Sequence, residues 1–286
     1  MPSEWFECTI EVASEHGDAV ANFLIDNGAP GLQSNEQAGS IEIIAYFPKE
    51  PPIEALQRYC ASINCALRNK TGSIHVRRVP HEDWAENWKL HFQPQAVGRR
   101  LYVCPPWDCV APAGRLAIVI DPGMAFGTGQ HATTRGCLLL LEGAMEDRSM
   151  KRALDVGTGS GVLAIALAKL ELPEVWAIDT DPNACTIAMA NAVCNGVEAH
   201  VHIRSSLDEV PGAFDLVTAN LFANLLEDMA ARFVALLRPD GVLICSGFLN
   251  ADELRVRSTY EARGLRLARR HEEQSWVTLA LQRSVS

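Results

Sequence analysis

The feature that most constrains the fold is a glycine-rich segment in the middle of the chain. An apolar run ends at Asp155, and Gly157, Gly159 and Gly161 follow at alternate positions. An apolar helical run comes next, and a second apolar segment ends at Asp179. Because glycine has no Cβ atom, such a loop can turn tightly and let a ligand lie against the backbone. This order of strand, glycine loop, helix, strand and acid predicts a βαβ unit that binds a nucleoside cofactor.

The glycine spacing favours one class of nucleoside cofactor. Dinucleotide sites use G-x-G-x-x-G and place a pyrophosphate on the helix N-terminus, whereas this loop reads G-x-G-x-G. S-adenosylmethionine has no phosphate, and its methionine part needs room beside the loop. We therefore favour S-adenosylmethionine over NAD. Asp179 is the candidate acceptor for the ribose hydroxyls, Asp155 is a candidate for the ammonium group, directly or through water, and Gly157 and Gly159 would approach the cofactor. A glycine-rich turn without a ligand is the alternative.

The second half of the chain alternates between segments of strand length and helix length. This alternation predicts an α/β fold with a doubly wound, mostly parallel sheet over residues 101–286. Strands are predicted at 101–103, 117–120, 153–156, 175–179, 200–204, 216–220 and 241–246, with a closing hairpin of 265–269 and 276–280. Helices are predicted at 133–142, 162–170, 182–195 and 221–237.

The first 80 residues follow a different pattern, β-α-β-β-α-β, and predict a small α+β domain in ferredoxin-like order. Its strands are predicted at 6–12, 32–34, 41–46 and 73–79, and its helices at about 14–27, with Ser14 as the cap, and 53–63. Residues 81–100 are expected to form a linker helix, because Trp84 and Trp88 are spaced to share one helical face.

Composition limits the classes of partner. The net charge of −10 argues against direct, sequence-specific binding to nucleic acid, and it is compatible with a basic protein partner. No run approaches the roughly 20 apolar residues that span a bilayer, and the N-terminus lacks the features of a signal peptide. We therefore expect a cytoplasmic protein without a membrane segment.

The cysteines and histidines give no sign of a metal site. The nine cysteines contain no C-x-x-C pair, and neither Cys60 with Cys65 nor Cys104 with Cys109 has a familiar metal spacing. The simplest interpretation is reduced, mostly buried thiols. The His200-x-His202 pair has no third ligand in evident reach.

A second loop with three glycines and a proline spans residues 121–134. It precedes a helix, so it is shaped to close over a cofactor, and Phe126 and Gly127 are candidate cofactor contacts. His131 is a candidate base or ligand, and a structural role is the alternative. Capping of the helix by Thr133 or Thr134 is the alternative interpretation of the end of this loop.

The third candidate is Asn220, which ends a predicted strand of the sheet. An amide oxygen there, with a neighbouring backbone carbonyl, would hold a methyl acceptor. Capping of the following helix by Asn220 is the alternative.

These segments together point to a family. The loop D-P-G-M-A-F-G-T-G-Q-H, the glycine loop and Asn220-Leu221 closely resemble the bacterial ribosomal protein L11 methyltransferases, known as PrmA. The Trp84/Trp88 segment and Pro105-Pro106-Trp107 fit the same pattern, so the resemblance covers nearly the whole chain.

The resemblance implies two domains: a small N-terminal domain that recognises the ribosomal protein, and a C-terminal domain with the class I S-adenosylmethionine-dependent methyltransferase fold. It implies methylation of lysine side chains and of an N-terminal amine, on a basic substrate protein that is free or on the large subunit. It places cofactor contacts on Thr134, Gly157, Asp179 and Asn220, with Asn220 as the catalytic residue.

The sequence departs from the family pattern at a few positions. Ala132 stands where proline is usual, Thr158 stands where cysteine is common, and Leu221-Phe222 replaces Ile-Leu in the N-I-L-A segment. The change at Phe222 bears on the acceptor pocket. Three other functions stay open: a lysine methyltransferase for another protein, an NAD-dependent oxidoreductase, and a non-catalytic module that binds a ribosomal protein.

Overall fold

The computed structural model describes residues 4–29, 31–37, 39–62, 74–80, 93–121, 131–147 and 149–283. The chain divides into two compact units, Met1–His91 and Phe92–Ser286. Residues 81–92, which make up most of the predicted linker helix and include Trp84 and Trp88, lie outside the described residues. Among the described helices, none combines the length and apolar character that crossing a bilayer requires.

The first unit is a four-stranded antiparallel sheet with two helices. Its strands are β1 (Glu4–Ala13), β2 (Gly31–Gln37), β3 (Ser40–Phe47) and β4 (His75–Pro80), in the order β2-β3-β1-β4. The helices are α1 (Gly17–Asp26) and α2 (Ile53–Ser62). Alternate residues of β1 and β3, such as Ile10 and Ile43, are buried against Leu24 and Leu56 of the helices. The predicted β-α-β-β-α-β order is confirmed.

The start of α1 differs from the expectation. Ser14 lies within a 3-10 turn, Ser14–His16, that precedes the helix, and no side chain caps that turn or α1. The predicted cap at Ser14 is therefore wrong. A short 3-10 turn at the N-terminus of an α-helix is a common way to begin one.

The second unit begins with a small sheet. Its strands are β5 (Gln95–Val97), β6 (Leu101–Cys104) and β7 (Leu116–Val119), with β5 antiparallel and β7 parallel to β6. Residues 95–97 are thus a strand and not the end of a linker helix. The turn after β5 is held by Glu142, whose carboxylate accepts the backbone N–H groups of Arg99 and Arg100 at 2.9 and 2.6 Å.

The loop after β6 contains a second difference. Cys104 and Cys109 form a disulfide, with their Cα atoms 5.1 Å apart, so the expectation of reduced thiols is wrong for this pair. A turn at Pro105, in which Asp108 N–H donates to its carbonyl at 3.2 Å, brings the two cysteines together. The other described cysteines are free thiols.

The main sheet of the second unit has seven strands. They are β8 (Arg152–Val156), β9 (Glu174–Ile178), β10 (Val201–Arg204), β11 (Phe214–Asn220), β12 (Leu237–Leu249), β13 (Leu265–Glu273) and β14 (Trp276–Arg283). Their order is β10-β9-β8-β11-β12-β14-β13, and β14 runs antiparallel to both of its neighbours. The pairs from β10 to β12 are all parallel. The predicted doubly wound, mostly parallel sheet is confirmed.

Helices cover both faces of this sheet. They are α3 (Ala132–Asp147), α4 (Val162–Lys169), α5 (Pro182–Cys194), α6 (Ala223–Asp228), α7 (Ala230–Leu236) and α8 (Glu253–Glu261). One core forms around α4, and a second core on the opposite face contains Phe233 and Tyr260. The predicted helix at 221–237 is two short helices that meet at Met229.

Candidate active site

A cavity of about 820 Å³ lies at the carboxyl ends of the parallel strands. In an open α/β sheet this edge, at the point where the strand order reverses, is where ligands bind. Here that point lies between β8 and β11. The lining residues are His131, Thr133, Val156, Gly157, Gly159, Ile178, Asp179, Thr180, Ser205, Ser206, Leu207, Asn220, Leu221, Phe222, Leu225, Met229, Arg232, Gly247 and Trp276.

The glycine loop after β8 is held by backbone hydrogen bonds. The N–H groups of Gly157 and Thr158 both donate to the carbonyl of Ile178 at 2.9 Å. Gly157 and Gly159 have φ values of 72° and 54°, in the left-handed region that favours glycine. A Cβ atom on Gly157 would lie 2.5 Å from the side chain of Leu221. This close packing brings the loop against the segment that follows β11.

Asp179 lies at the end of β9, and its carboxylate is oriented by backbone donors. Gly159 N–H donates to Oδ2 at 2.9 Å, and Asp181 N–H donates to Oδ1 at 3.0 Å. Each carboxylate oxygen can accept more than one hydrogen bond. The side chain therefore keeps acceptor capacity toward the cavity that it lines, as a ribose-binding acid requires.

Asp155 takes a different position from the one expected. It is 1% exposed and does not line the cavity. Thr158 Oγ1 donates to its Oδ2, and Thr218 Oγ1 donates to its Oδ1, both at 2.7 Å. Burial raises the pKa of this carboxyl to about 6, although both hydroxyl hydrogen bonds oppose that rise. The carboxylate therefore has a structural role, and its contact with the cofactor ammonium, directly or through water, stays a prediction.

Asn220 lies at the end of β11 with its amide nitrogen engaged. Nδ2 donates to Thr133 Oγ1 at 3.1 Å and to Thr134 Oγ1 at 3.4 Å. Asn220 does not cap the next helix, because the N-cap of α6 is Phe222 and no side chain caps it. With Nδ2 held by α3, Oδ1 is the acceptor that this side chain offers to the cavity.

The backbone after Asn220 is fixed by the neighbouring strand. Leu221 N–H donates to the carbonyl of Ser246 at 2.9 Å. Gly247 has a φ of 98°, and a Cβ atom there would lie 2.4 Å from the Leu221 carbonyl oxygen. A glycine is therefore required at this point for the end of β12 to pass close behind Leu221.

The N-terminus of α3 forms another part of the wall. His131 Nδ1 lies 2.7 Å from Thr133 Oγ1, and the Thr133 N–H donates to the same nitrogen at 3.4 Å. The His131 ring meets Trp276 edge to face, with centroids 4.8 Å apart. Burial and the nearby Arg135 lower the pKa of His131, while Glu273 opposes that shift. A neutral imidazole suits the acceptor role of Nδ1.

The helix-capping interpretation of the two threonines can now be judged. α3 begins at Ala132, so Thr133 and Thr134 lie in its first turn and do not precede it. Both are buried, and both hydroxyls meet the amide of Asn220. Thr134 does not line the cavity, which places it behind Asn220. Phe126 and Gly127, the other candidates from this loop, lie outside the described residues.

Comparison with known proteins identifies the family. A family profile described as "Ribosomal protein L11 methyltransferase (PrmA)" matches residues 4–284. The chain belongs to this family. A ribosomal protein L11 methyltransferase of Pelotomaculum thermopropionicum is 37% identical, with 97% of this chain and 98% of the relative covered. The protein of that name from Geobacter metallireducens is 36% identical over 99% of each chain.

A solved structure supports the same assignment. The crystal structure of a ribosomal protein L11 methylase from Lactobacillus delbrueckii subsp. bulgaricus is 31% identical and has a TM-score of 0.63. It covers 68% of this chain and 100% of its own. The chain is thus an S-adenosylmethionine-dependent methyltransferase of the PrmA family, and the alternatives of an oxidoreductase and of a non-catalytic module are set aside.

The cavity fits the methyl donor of this family. Its volume lies in the upper part of the range of about 300–1,000 Å³ that is common for small-molecule sites. The open glycine loop, the oriented Asp179 carboxylate and the apolar Leu207 after β10 suit the methionine, ribose and adenine parts. Among the described residues, no group of three or more histidine, cysteine or acidic side chains is placed to hold a metal ion.

Sequence reasoning missed half of the cavity wall. Thr180 and Ser205 to Leu207 directly follow strand ends, and that position alone could have identified them. Gly247 carries the same signal, because it follows the predicted strand 241–246, whereas Trp276 carries none, because it begins a strand. The other missed residues are Val156, Ile178, Leu225, Met229 and Arg232, and Arg232 pairs with Asp208 at 2.5 Å.

Proposed function

We propose that this protein methylates amines of a large-subunit ribosomal protein, L11, on lysine side chains and at the N-terminus. The observation that carries the proposal is the position of Asn220. Its amide lies in the same cavity as the glycine loop and Asp179, and its nitrogen is held by Thr133 and Thr134. An oriented amide oxygen at this point is suited to bind the N–H group of an amine.

We assign the cofactor contacts by the same geometry. Asp179 accepts the ribose hydroxyls, and Gly157 and Gly159 let the methionine part lie along the backbone. Asn220 borders both the cofactor and the acceptor, while Thr134 acts through Asn220 as a positioning residue. S-adenosylmethionine supplies an electrophilic methyl group on a positively charged sulfur.

The acceptor amine must be neutral when it attacks. A free lysine has a pKa of about 10.4, and both burial and a nearby positive charge disfavour its protonated form. The cavity wall provides apolar surroundings for the amine through Leu221 and Trp276, which are half-buried. Asn220 Oδ1 would accept one amine N–H and so direct the lone pair toward the methyl group, which makes positioning the main source of rate.

The choice of substrate rests on the relatives and on charge. The relatives are named for ribosomal protein L11, and the net charge of −10 favours encounter with a basic protein. We propose that residues 1–80 bind this protein, either free or on the large subunit, and that residues 101–286 carry the chemistry in the cytoplasm. A lysine of another protein is the competing target.

Mass spectrometry of the ribosomal protein tests this function. Purified, unmethylated L11 is incubated with the full-length enzyme and S-adenosylmethionine, and we expect mass increases of about 14 Da per methyl group on lysines and on the N-terminal residue. The Asn220→Ala protein is the matched control, and we expect no mass increase with it. Unchanged L11 alongside methylation of another purified protein would move the proposal to that protein.

A further inference from the structure

One aromatic side chain of the cavity wall is largely exposed. Phe222 lines the cavity, yet 76% of the residue is exposed. Burying a phenylalanine stabilises a protein by about 1.5–3 kcal/mol. Because Phe222 is mostly exposed, it contributes little of this stabilisation to the fold. Isolated exposed apolar residues are common, so position has to decide whether this one has a role.

The position of Phe222 is unfavourable for the local structure. It is the N-cap residue of α6, and no side chain caps that helix. Serine, threonine, aspartate and asparagine are preferred at an N-cap, and each is about 1 kcal/mol better there than a residue without a capping group. A residue that neither caps a helix nor enters the core, at the edge of an active site, suggests a functional reason for its presence.

Phe222 has surface available to a bound molecule, because it lines the cavity and is 76% exposed. Gly157, Gly159 and Asp179, to which we assign the cofactor, lie on other loops of the same cavity. A cofactor bound there need not cover the whole Phe222 ring, which leaves the ring available to a second molecule. Phe222 is also two residues from Asn220, so that molecule's acceptor amine would be close to the ring.

The charges on the wall are compatible with a lysine-bearing segment. Among the described lining residues, Asp179 is the one carboxylate and Arg232 the one guanidinium. Arg232 is paired with Asp208 at 2.5 Å. The described part of the cavity wall therefore presents no unpaired arginine or lysine that would repel an incoming lysine.

We propose that Phe222 is a specificity-determining residue, which binds an apolar side chain next to the acceptor amine of the protein substrate. This inference rests on the proposed amine methylation. When an aliphatic side chain of the substrate packs on the Phe222 ring, the contact excludes water from the neighbouring acceptor amine. Aromatic residues of this kind often dominate the binding energy of an interface.

Two synthetic peptides test the inference. Each has an acetylated N-terminus and a single lysine, flanked by leucine on both sides in one peptide and by serine in the other. The full-length enzyme and S-adenosylmethionine are supplied, and kcat/KM is measured by mass spectrometry. We expect about a tenfold preference for the leucine-flanked peptide, and less than a twofold preference with Phe222→Ser.

Three further measurements separate this role from others. Phe222→Ser introduces a favoured N-cap residue, so it should fold at least as stably as the wild type. Phe222→Tyr should keep the preference, because the ring remains. Leu254→Ser is the matched control, since Leu254 on α8 is equally exposed at 76% but does not line the cavity; the preference should persist in that variant.

The outcomes are distinct. Equal transfer to both peptides, transfer to neither, or a preference unchanged in Phe222→Ser overturns the role of Phe222. A loss of affinity for S-adenosylhomocysteine of more than about fivefold in Phe222→Ser, measured by calorimetry, would make the ring part of the cofactor site and also overturn it. If the leucine-flanked peptide is methylated and L11 is not, the proposed substrate is wrong while the role of Phe222 stands.

Discussion

The two walls of the cavity are built in different ways. The wall after β8 and β9 is held by backbone groups, since Gly157 and Thr158 donate to the Ile178 carbonyl and Gly159 donates to Asp179. In the wall after β11 a backbone hydrogen bond from Leu221 N–H to the Ser246 carbonyl also contributes, but the functional side chain is held by other side chains. There, Asn220 is oriented by threonines of α3, and it is followed by an exposed phenylalanine.

This difference suits the two ligands. A cofactor is the same molecule in every turnover, and a wall of backbone hydrogen bonds fixes its position independently of most side chains. The acceptor belongs to a protein, and a wall of side chains can change with the substrate while the sheet stays the same. The departures from the family pattern at Leu221 and Phe222 fall on this second wall.

Replacing Asn220 should have the largest effect on activity. It should change transfer to the acceptor, which the second wall binds, much more than binding of the cofactor. We expect Asn220→Ala to lower kcat by about 1,000-fold, as the loss of one oriented polar group in an active site typically does. Affinity for S-adenosylhomocysteine should fall by less than tenfold, because Asp179 and the glycine loop remain. Asn250→Ala, an exposed asparagine outside the cavity, is the control. A fully active Asn220→Ala enzyme would contradict the assignment.

The sequence identified the residues whose roles depend on strand ends. Asp179, Gly157 and Asn220 each follow or end an apolar segment, and the parallel sheet brings those ends together. Asp155 occupies an equivalent place, but its role depends on Thr218, which is 63 positions away and whose hydroxyl reaches it only in the fold. No local pattern could show that contact.

Similar limits explain the elements that the sequence did not predict. β5 has three residues, too few for an alternating pattern to be visible. α8 buries only Val256 and Tyr260, so its sequence reads as polar. The contact between His131 and Trp276 joins the residue before α3 to the first residue of β14, and it forms only when that helix packs on the sheet.

Asp155 links the two walls, because it accepts one hydrogen bond from each side. Thr158 belongs to the glycine loop, and Thr218 lies in β11. Its pKa of about 6 in the folded protein is above the unfolded value of 3.8. Between these values the folded state keeps a proton that the unfolded state has lost, so stability falls as pH rises. The difference corresponds to about 3 kcal/mol.

Urea unfolding of Asp155→Asn between pH 4 and pH 7 measures this effect. The variant lacks the titrating group, so the free energy of unfolding of the wild type, relative to the variant, should fall by about 2.5 kcal/mol over that range. A constant difference across the range would show that Asp155 is not protonated more readily in the folded state. It would then be an ordinary hydrogen-bond acceptor between the walls.

Replacement of Asp179 tests the role of the first wall in cofactor binding. Asp179→Ala should weaken binding of S-adenosylhomocysteine by about 100-fold, because hydrogen bonds from two ribose hydroxyls to a charged acceptor are lost. The control is Asp181→Ala, two residues later. Asp181 caps α5 by accepting Asn183 N–H at 2.8 Å and does not line the cavity. That variant should lose about 1 kcal/mol of stability and keep its affinity, and equal losses of affinity would remove the distinction.

The smallest predicted effect concerns the backbone support of the second wall. Gly247→Ala adds a Cβ atom 2.4 Å from the Leu221 carbonyl oxygen, whereas Gly264→Ala has the similar φ of 85° and nothing within 4 Å. Both variants bear the strain of a left-handed alanine, about 1–2 kcal/mol. In urea unfolding, Gly247→Ala should lose about 2 kcal/mol more unfolding free energy than Gly264→Ala does. This difference measures the cost of the close contact with Leu221. Only Gly247→Ala should also lower kcat, because Leu221 directly follows Asn220 and a shift of its backbone would move the Asn220 side chain. If the two variants match in stability and activity, the acceptor wall does not depend on this close approach.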